Sequence, residues 1–238
     1  MTLNFAHRGS MTEAPENTVP SFKKAIAHGT RAIELDVQLT KDHHLVVCHD
    51  HKLTKYNSSA NQRIIDLTLE ELKQIDIGSS FNGNYTGITI PTLDEVLNHC
   101  PRDIFLNIEI KNIPVIYNGI EERLIRCLSH HNRFDNVLIS SFDHLALKKI
   151  QEMVPNIPLG MLFYYRILNP WDYASQSGLT ITSIHPNNVY TDKSFIENCH
   201  NRGYKVYPYT VNHKERYREL VNYGVDGVFS NNPEIFSI

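Results

Sequence analysis

Residues 32–50 read AIELDVQLTKDHHLVVCHD, and the core of this stretch, IELDVQL, decides how the chain is read. Ile33, Leu35 and Val37 alternate with Glu34, Asp36 and Gln38. A period of two predicts a β-strand with the two sets on opposite faces. One face is apolar and fit for a core, while the other carries two carboxylates. A buried ionised carboxylate is costly unless it is paired or bound to a metal, and two neighbouring ones repel each other. The elements around the strand decide whether that polar face is buried.

Working outward, short apolar runs alternate with helical patterns. LNFAH (3–7) reads as a strand and NTVPSFKKAIAHG (17–29) as a helix, with Asn17 or Thr18 as N-cap, Pro20 in the first turn and Gly29 as its stop. AIELDVQLT (32–40) and HLVVCH (44–49) read as strands. Residues 50–92 are loop-rich, with one small helix at 67–74 whose Thr68 and Glu71 have capping-box spacing. They read as an insertion, a small subdomain or long excursion. Strand and helix then alternate from FLNIEIK (105–111) through IEERLIRCLSHH, NVLISSF, HLALKKIQEMV, LGMLFYY, PWDYASQSG, ITSIHP, DKSFIENCHNRG, YKVYPYTVN and HKERYRELVNYG to GVDGVFS (224–230). Gly29, Gly203 and Gly224 each close a helix shortly before a strand.

Strict alternation predicts an α/β fold with a parallel sheet. HRGSMTEAPENT after the first strand lacks GxGxxG, which argues against an open dinucleotide-binding sheet. About eight βα units in a chain of this length favour a (β/α)8 barrel. The 238 residues fit one such domain, 1–238, with the insertion at about 50–92 after the second βα region. A formal net charge of -3 argues against a nucleic-acid partner or a polybasic membrane anchor. No apolar run is long enough to span a bilayer, and no secretory signal is visible at MTLNFAHRG. The four cysteines have no metal-ligand spacing, so the expected location is cytoplasmic.

In a barrel the apolar set faces the helices, which turns Glu34 and Asp36 toward the axis. FLNIEIK repeats the pattern: Leu106, Ile108 and Ile110 on one face, Asn107, Glu109 and Lys111 on the other. Three converging carboxylates make an oxygen-rich site for a hard divalent cation, Mg²⁺, Ca²⁺ or Mn²⁺. The alternative is a set of internal salt bridges with Lys111 and Arg8. His7 and His49 each end a strand on the same side as a candidate acid/base pair. Arg8 and Lys111 supply positive charge suited to a phosphate or carboxylate. His185, in SIHP, is a weaker candidate in the same neighbourhood. His43 and His44 read as turn residues, and His130 and His131 as helix-end residues. No GxSxG elbow or P-loop occurs, and nothing marks Ser140 or Ser141 as a nucleophile.

Together, AHRG (6–9), APENTVPSFKKAIAHG (14–29), IELDVQLTKD (33–42), VVCHD (46–50), DLTLEELKQIDIGSSF (66–81), IPTLDEVL (90–97), LNIEIK (106–111), YTVN (209–212) and GVDGVFSNNP (224–233) resemble the glycerophosphodiester phosphodiesterase family over nearly the whole chain. The resemblance implies a TIM barrel with a small inserted subdomain and a divalent cation on Glu34, Asp36 and Glu109. It makes His7 and His49 the acid–base pair, His7 the base and His49 the acid. It gives Arg8 and Lys111 the phosphate, Glu16 of PENT a supporting place, and Tyr209 the aromatic substrate position where the family usually has Trp. Ser230-Asn231 stands where Thr-Asp is common. The implied substrate is a small glycerophosphodiester such as glycerophosphocholine or glycerophosphoethanolamine, cleaved to glycerol 3-phosphate and an alcohol. A lysophospholipase D-like or other lipid phosphodiesterase would need an apolar groove, for which Ile64, Ile65, Leu67, Leu69, Ile75, Ile77 and Phe81 of the insertion are the candidates. A metal-dependent aldolase or isomerase barrel lacks its usual lysine or paired histidines here. A barrel that binds phosphodiesters without turnover would be expected to lack one of His7, His49, Glu34, Asp36 or Glu109, and all five are present.

Overall fold

The structure is a computed structural model and describes residues 2–56 and 61–236. It opens with β1 (Phe5–His7), α1 (Val19–Ala27), β2 (Ala32–Leu39) and a short β3 (Leu45–Val47), followed by α2 (Leu69–Lys73) and α3 (Leu93–His99). Alternation then runs through β4 (Phe105–Ile110), α4 (Ile120–His130), β5 (Val137–Ser141), α5 (His144–Met153), β6 (Leu159–Phe163), α6 (Pro170–Gln176), β7 (Ser183–Pro186), α7 (Lys193–His200), β8 (Lys205–Val206), α8 (Lys214–Asn222) and β9 (Phe229–Ser230).

Eight strands form a curled parallel sheet in the order β8-β7-β6-β5-β4-β2-β1-β9. Its two ends meet: the Phe229 amide donates to the Pro208 carbonyl at 3.0 Å, and the Val211 amide to the Phe229 carbonyl at 2.8 Å. Phe5 stacks on Phe229 with ring centroids 4.6 Å apart, and Tyr207 packs edge-on against Phe5. The apolar faces of β2 and β4 pack in one large cluster with Phe22 of α1, Leu124 of α4, Leu147 of α5 and Leu220 of α8. The alternation in IELDVQL therefore has the orientation expected: apolar side chains toward the helices, carboxylates toward the axis.

Local sequence accounts for the element ends. Thr18 caps α1 by accepting from the Ser21 amide, and Thr68 caps α2 in a capping box with Glu71. Gly29, Gly203 and Gly224 all take positive φ after their helices. Gly160 on β6 answers to close packing instead. A Cβ there would lie 2.5 Å from Cε1 of His185, so the ring occupies the space a side chain would need.

Three features differ from the sequence reading. α3 was not anticipated, although Thr92 and Glu95 form a capping box at its start. β8 and β9 are shorter than the runs 204–212 and 224–230 implied, and Pro208, lacking an N–H, interrupts the first. β3 runs antiparallel to β2, with Val37 opposite Val47 and Leu39 opposite Leu45, so it is a hairpin return and not a barrel strand. His49 lies beyond it in a bend, not at the carboxyl end of a parallel strand. Within 50–92, Leu53, Ile64, Leu72, Ile77 and Ile90 pack with Val46 and Cys48 in a cluster separate from the main core. Among the described residues, no helix is long and apolar enough to cross a membrane.

Candidate active site

Register alone brings the acidic residues together. Asp36 on β2 sits opposite Glu109 on β4, and His7 on β1 sits opposite Glu34 on β2. Ligand oxygens of Glu34, Asp36 and Glu109 all lie within 4.8 Å of one another, and all three residues are buried. Two cations face them. Lys111 Nζ donates to Glu109 Oε1 at 2.8 Å and lies 3.8 Å from Asp36 Oδ1. Arg8 Nε lies 3.4 Å from Asp36 Oδ2, while the Arg8 backbone N–H donates to Glu34 Oε2 at 3.0 Å. Glu16 holds the guanidinium through Oε1, 3.2 Å from Arg8 Nη1, and its Oε2 is 2.7 Å from Lys55 Nζ. Asn17 Nδ2 donates to Asp36 Oδ2 at 2.8 Å, which anchors the loop after β1 to β2.

The electrostatics leave room for a cation. Burial, with Asp36 and Glu109 alongside, pushes the Glu34 carboxyl well above its ordinary range. Burial also raises Glu109, although Lys111 opposes it. For Asp36, Arg8 and Lys111 overcome burial and hold the carboxyl below the usual range. Glu34 Oε1 and Asp36 Oδ1 are buried without a hydrogen-bond partner among the described residues. Buried anionic oxygens in that condition are expensive, and an oxygen-rich donor set of this kind fits a hard divalent cation. The donors therefore fit a metal better than a closed set of salt bridges.

The two histidines have different partners. His7 Nδ1 lies 2.6 Å from Asn231 Oδ1, and its Nε2 is turned inward, 3.9 Å from Glu34 Oε2. An amide oxygen accepts only, so Nδ1 carries the hydrogen and Nε2 is left with its lone pair. Burial and the neighbouring Arg8 charge push His7 down to about 3. His49 Nδ1 lies 2.7 Å from Asp50 Oδ1, and this bond lowers the Asp50 carboxyl. Gln38, also buried, donates from Nε2 to the carbonyls of Cys48, His49 and Asp50 at 2.7, 3.0 and 3.1 Å. The bend that carries His49 is thereby tied to β2.

These groups open into a cavity of about 630 Å³ whose lining includes His7, Arg8, Glu34, His49, Glu109, Lys111 and Tyr209. Tyr209 donates its hydroxyl to the Phe163 carbonyl at 2.9 Å and packs edge-on against Phe142. Asp36 and Glu16 lie behind the lining and hold Arg8. His185 reaches the cavity floor, where Nε2 lies 2.8 Å from Ser183 Oγ and burial lowers it to about 3. Ser140 accepts from Asn107 Nδ2, and Ser141 donates to the Ile110 carbonyl, so both hydroxyls serve packing. Asn17, Asp50 and the contact of Asn231 with His7 were not foreseen. Asp50 was signalled only by its adjacency to His49.

A carboxylate triad, two separately partnered histidines and two cations at one mouth of a curled α/β sheet define a site for phosphate-ester chemistry. Residues 7–235 match the model of the glycerophosphoryl diester phosphodiesterase family, and the chain belongs to that family. It is 40% identical to the glycerophosphodiester phosphodiesterase of Caldanaerobacter subterraneus subsp. tengcongensis, over 98% of this chain and 95% of that protein. The Bacillus altitudinis glycerophosphodiester phosphodiesterase is 37% identical over 98% of this chain and 96% of its own. Among solved structures, an Oleispira antarctica phosphodiesterase in complex with the product sn-glycerol-3-phosphate superposes with a TM-score of 0.90 at 32% identity, covering 100% of this chain and 96% of that one.

Proposed function

We propose that this protein hydrolyses glycerophosphodiesters, such as glycerophosphocholine and glycerophosphoethanolamine, to glycerol 3-phosphate and an alcohol. The observation that carries the reading is the convergence of Glu34, Asp36 and Glu109 with two differently partnered histidines and two cations. The names of the Caldanaerobacter and Bacillus relatives, and the product bound in the Oleispira structure, support it.

Glu34, Asp36 and Glu109 would hold a divalent cation, Mg²⁺ or Ca²⁺ with Mn²⁺ also suited, which when bound supplies Lewis acidity at a phosphoryl oxygen. Arg8 and Lys111 bind the non-bridging oxygens and neutralise charge that develops there. His7, neutral and with Nε2 free, accepts the nucleophile's proton. His49, whose Nδ1 is held by the Asp50 carboxylate, delivers a proton from Nε2 to the leaving alcohol. Glu16 keeps Arg8 in place, and Tyr209 lines the alcohol side. We read residues 50–92 as an inserted subdomain on the strength of their separate apolar cluster. Four unpaired, buried cysteines agree with a reducing, cytoplasmic location.

The experiment is choline release from glycerophosphocholine with Mg²⁺ or Ca²⁺, with and without excess chelator. Activity should vanish with chelator and return with metal. His7→Ala and His49→Ala should each cost roughly 10² to 10⁴ in rate. Full activity in excess chelator would sink the metal assignment.

A further inference from the structure

Away from the catalytic mouth, one other group of metal-ligating side chains converges among the described residues. It consists of Asp94, Cys127 and His131, whose ligand atoms all lie within 4.8 Å of one another. Cys127 and His131 are four residues apart and so share one face of α4, which His131 closes. Asp94 stands in the first turn of α3. Its Oδ1 lies 2.8 Å from His131 Nε2 and 3.6 Å from Cys127 Sγ. One carboxylate oxygen thus faces a ring nitrogen and a sulfur supplied by a second helix. None of the three residues lines the catalytic cavity.

The three donors are layered. Cys127 is 8% exposed and seated in the main core. The His131 side chain is 14% exposed and that of Asp94 59%. Sulfur forms the floor, imidazole the wall and carboxylate the rim, which leaves an entry path and a fourth position for water. The distances suit a small tetrahedral ion. Bonds of about 2.3 Å to sulfur and about 2.0–2.2 Å to nitrogen and oxygen put sulfur about 3.6 Å from oxygen and nitrogen about 3.4 Å from oxygen. The sulfur spacing is already met. The nitrogen spacing needs a parting of about 0.6 Å, which the solvent-facing Asp94 side chain is free to make. A thiolate and an imidazole beside one carboxylate select a borderline-soft cation over Mg²⁺ or Ca²⁺.

We propose that Asp94, Cys127 and His131 bind a divalent cation of the zinc class, which clasps the start of α3 to the end of α4. This goes beyond the phosphodiesterase reading and does not depend on it. On binding, the Cys127 thiol gives its proton to solvent, and the thiolate, the neutral imidazole and the carboxylate bond to the ion. In the chain, α3 and α4 stand on either side of β4, which carries Glu109. The clasp therefore fastens together the helices before and after a strand of the acidic cluster.

The test uses Co²⁺ as a spectroscopic stand-in for Zn²⁺. The full chain, stripped with chelator, kept reduced by a phosphine and supplied with excess Mg²⁺, is titrated with Co²⁺. A thiolate-to-cobalt charge-transfer band should appear, saturate at one equivalent and vanish when Zn²⁺ displaces the cobalt. Cobalt on Glu34, Asp36 and Glu109 cannot give this band, because that cluster contains no sulfur. Asp94→Ala and His131→Ala replace residues that are not buried and are expected to fold. Each should weaken the Co²⁺ affinity read from the band at least about tenfold, since loss of a ligand costs no less than loss of its outer-shell partner. Cys127→Ser should abolish the band. Absence of the band in the wild type would overturn the proposal, as would a band of undiminished affinity in both alanine variants.

Discussion

Replacing Asp50 with Asn keeps a side chain of the same size beside His49 and removes the carboxylate charge. The Asp50 Oδ1 to His49 Nδ1 contact is 2.7 Å, the length of a charge-assisted bond. Hydrogen bonds to charged groups contribute roughly 1.5–3 kcal/mol. The two side chains are 31% and 39% exposed, His49 and Asp50 respectively, so water and salt screen them and the low end applies. At about 1.4 kcal/mol per tenfold, Asp50→Asn should lower kcat/KM for glycerophosphocholine about tenfold. His49→Ala should lower it by roughly 10² to 10⁴. The informative assay repeats both measurements on a glycerophosphodiester with a nitrophenol leaving group. Nitrophenolate departs without being protonated, so a proton donor has little left to contribute and both losses should shrink toward unity. Equal losses on the two substrates would refute His49 as the proton donor. A nitrophenyl loss larger than the choline loss would point to His49 as the base instead.

Two further outcomes concern the supporting structure. His185 is held down to about 3 by burial, below its unfolded value of about 6.5. The unfolded chain then binds the extra proton, so stability falls as pH drops below about 6.5, by up to about 1.4 kcal/mol per pH unit. Denaturant midpoints between about pH 7 and pH 5 should fall less steeply for His185→Gln than for the wild type, and identical slopes would remove His185 from the account. Gly160→Ala should cost roughly 1–3 kcal/mol, because its Cβ would lie 2.5 Å from the His185 ring; an unchanged thermal midpoint would show that the ring has another place to go.

The parts of this site that lie on β2 and β4 were legible because strand alternation is a rigid rule. Once Ile33, Leu35 and Val37 face the helices, Glu34 and Asp36 have one direction left, and Glu109 follows by the same logic. The partners of the histidines were harder to see. Asn231 meets His7 because the last strand pairs with the first, a contact between residues 224 positions apart that no local pattern encodes. Asn17 reaches Asp36 from a loop residue with φ of 56°, a conformation that side-chain periodicity does not describe. β3 was legible as a strand but not as a hairpin return, since an apolar run looks the same in either direction. The insertion holds many aliphatic residues, which is why its sequence reads as a candidate apolar groove. Most of those residues bury one another, and a run of exposed apolar residues sits instead in YYRIL, where two tyrosines and an arginine mask the apolar character.

Gln38 has a consequence for how the site moves. Its amide ties the His49 bend to the strand that bears Glu34 and Asp36. His49 and two carboxylates of the acidic cluster, Glu34 and Asp36, are thus joined through one short hairpin. His7 lies elsewhere: it is on the first strand, and its partner Asn231 directly follows the last. The seam between the first and last strands of the chain therefore runs between His7 and the residue that orients it. Loosening of the last strand would take Asn231 from His7 while leaving His49 and the carboxylates of β2 and β4 in register.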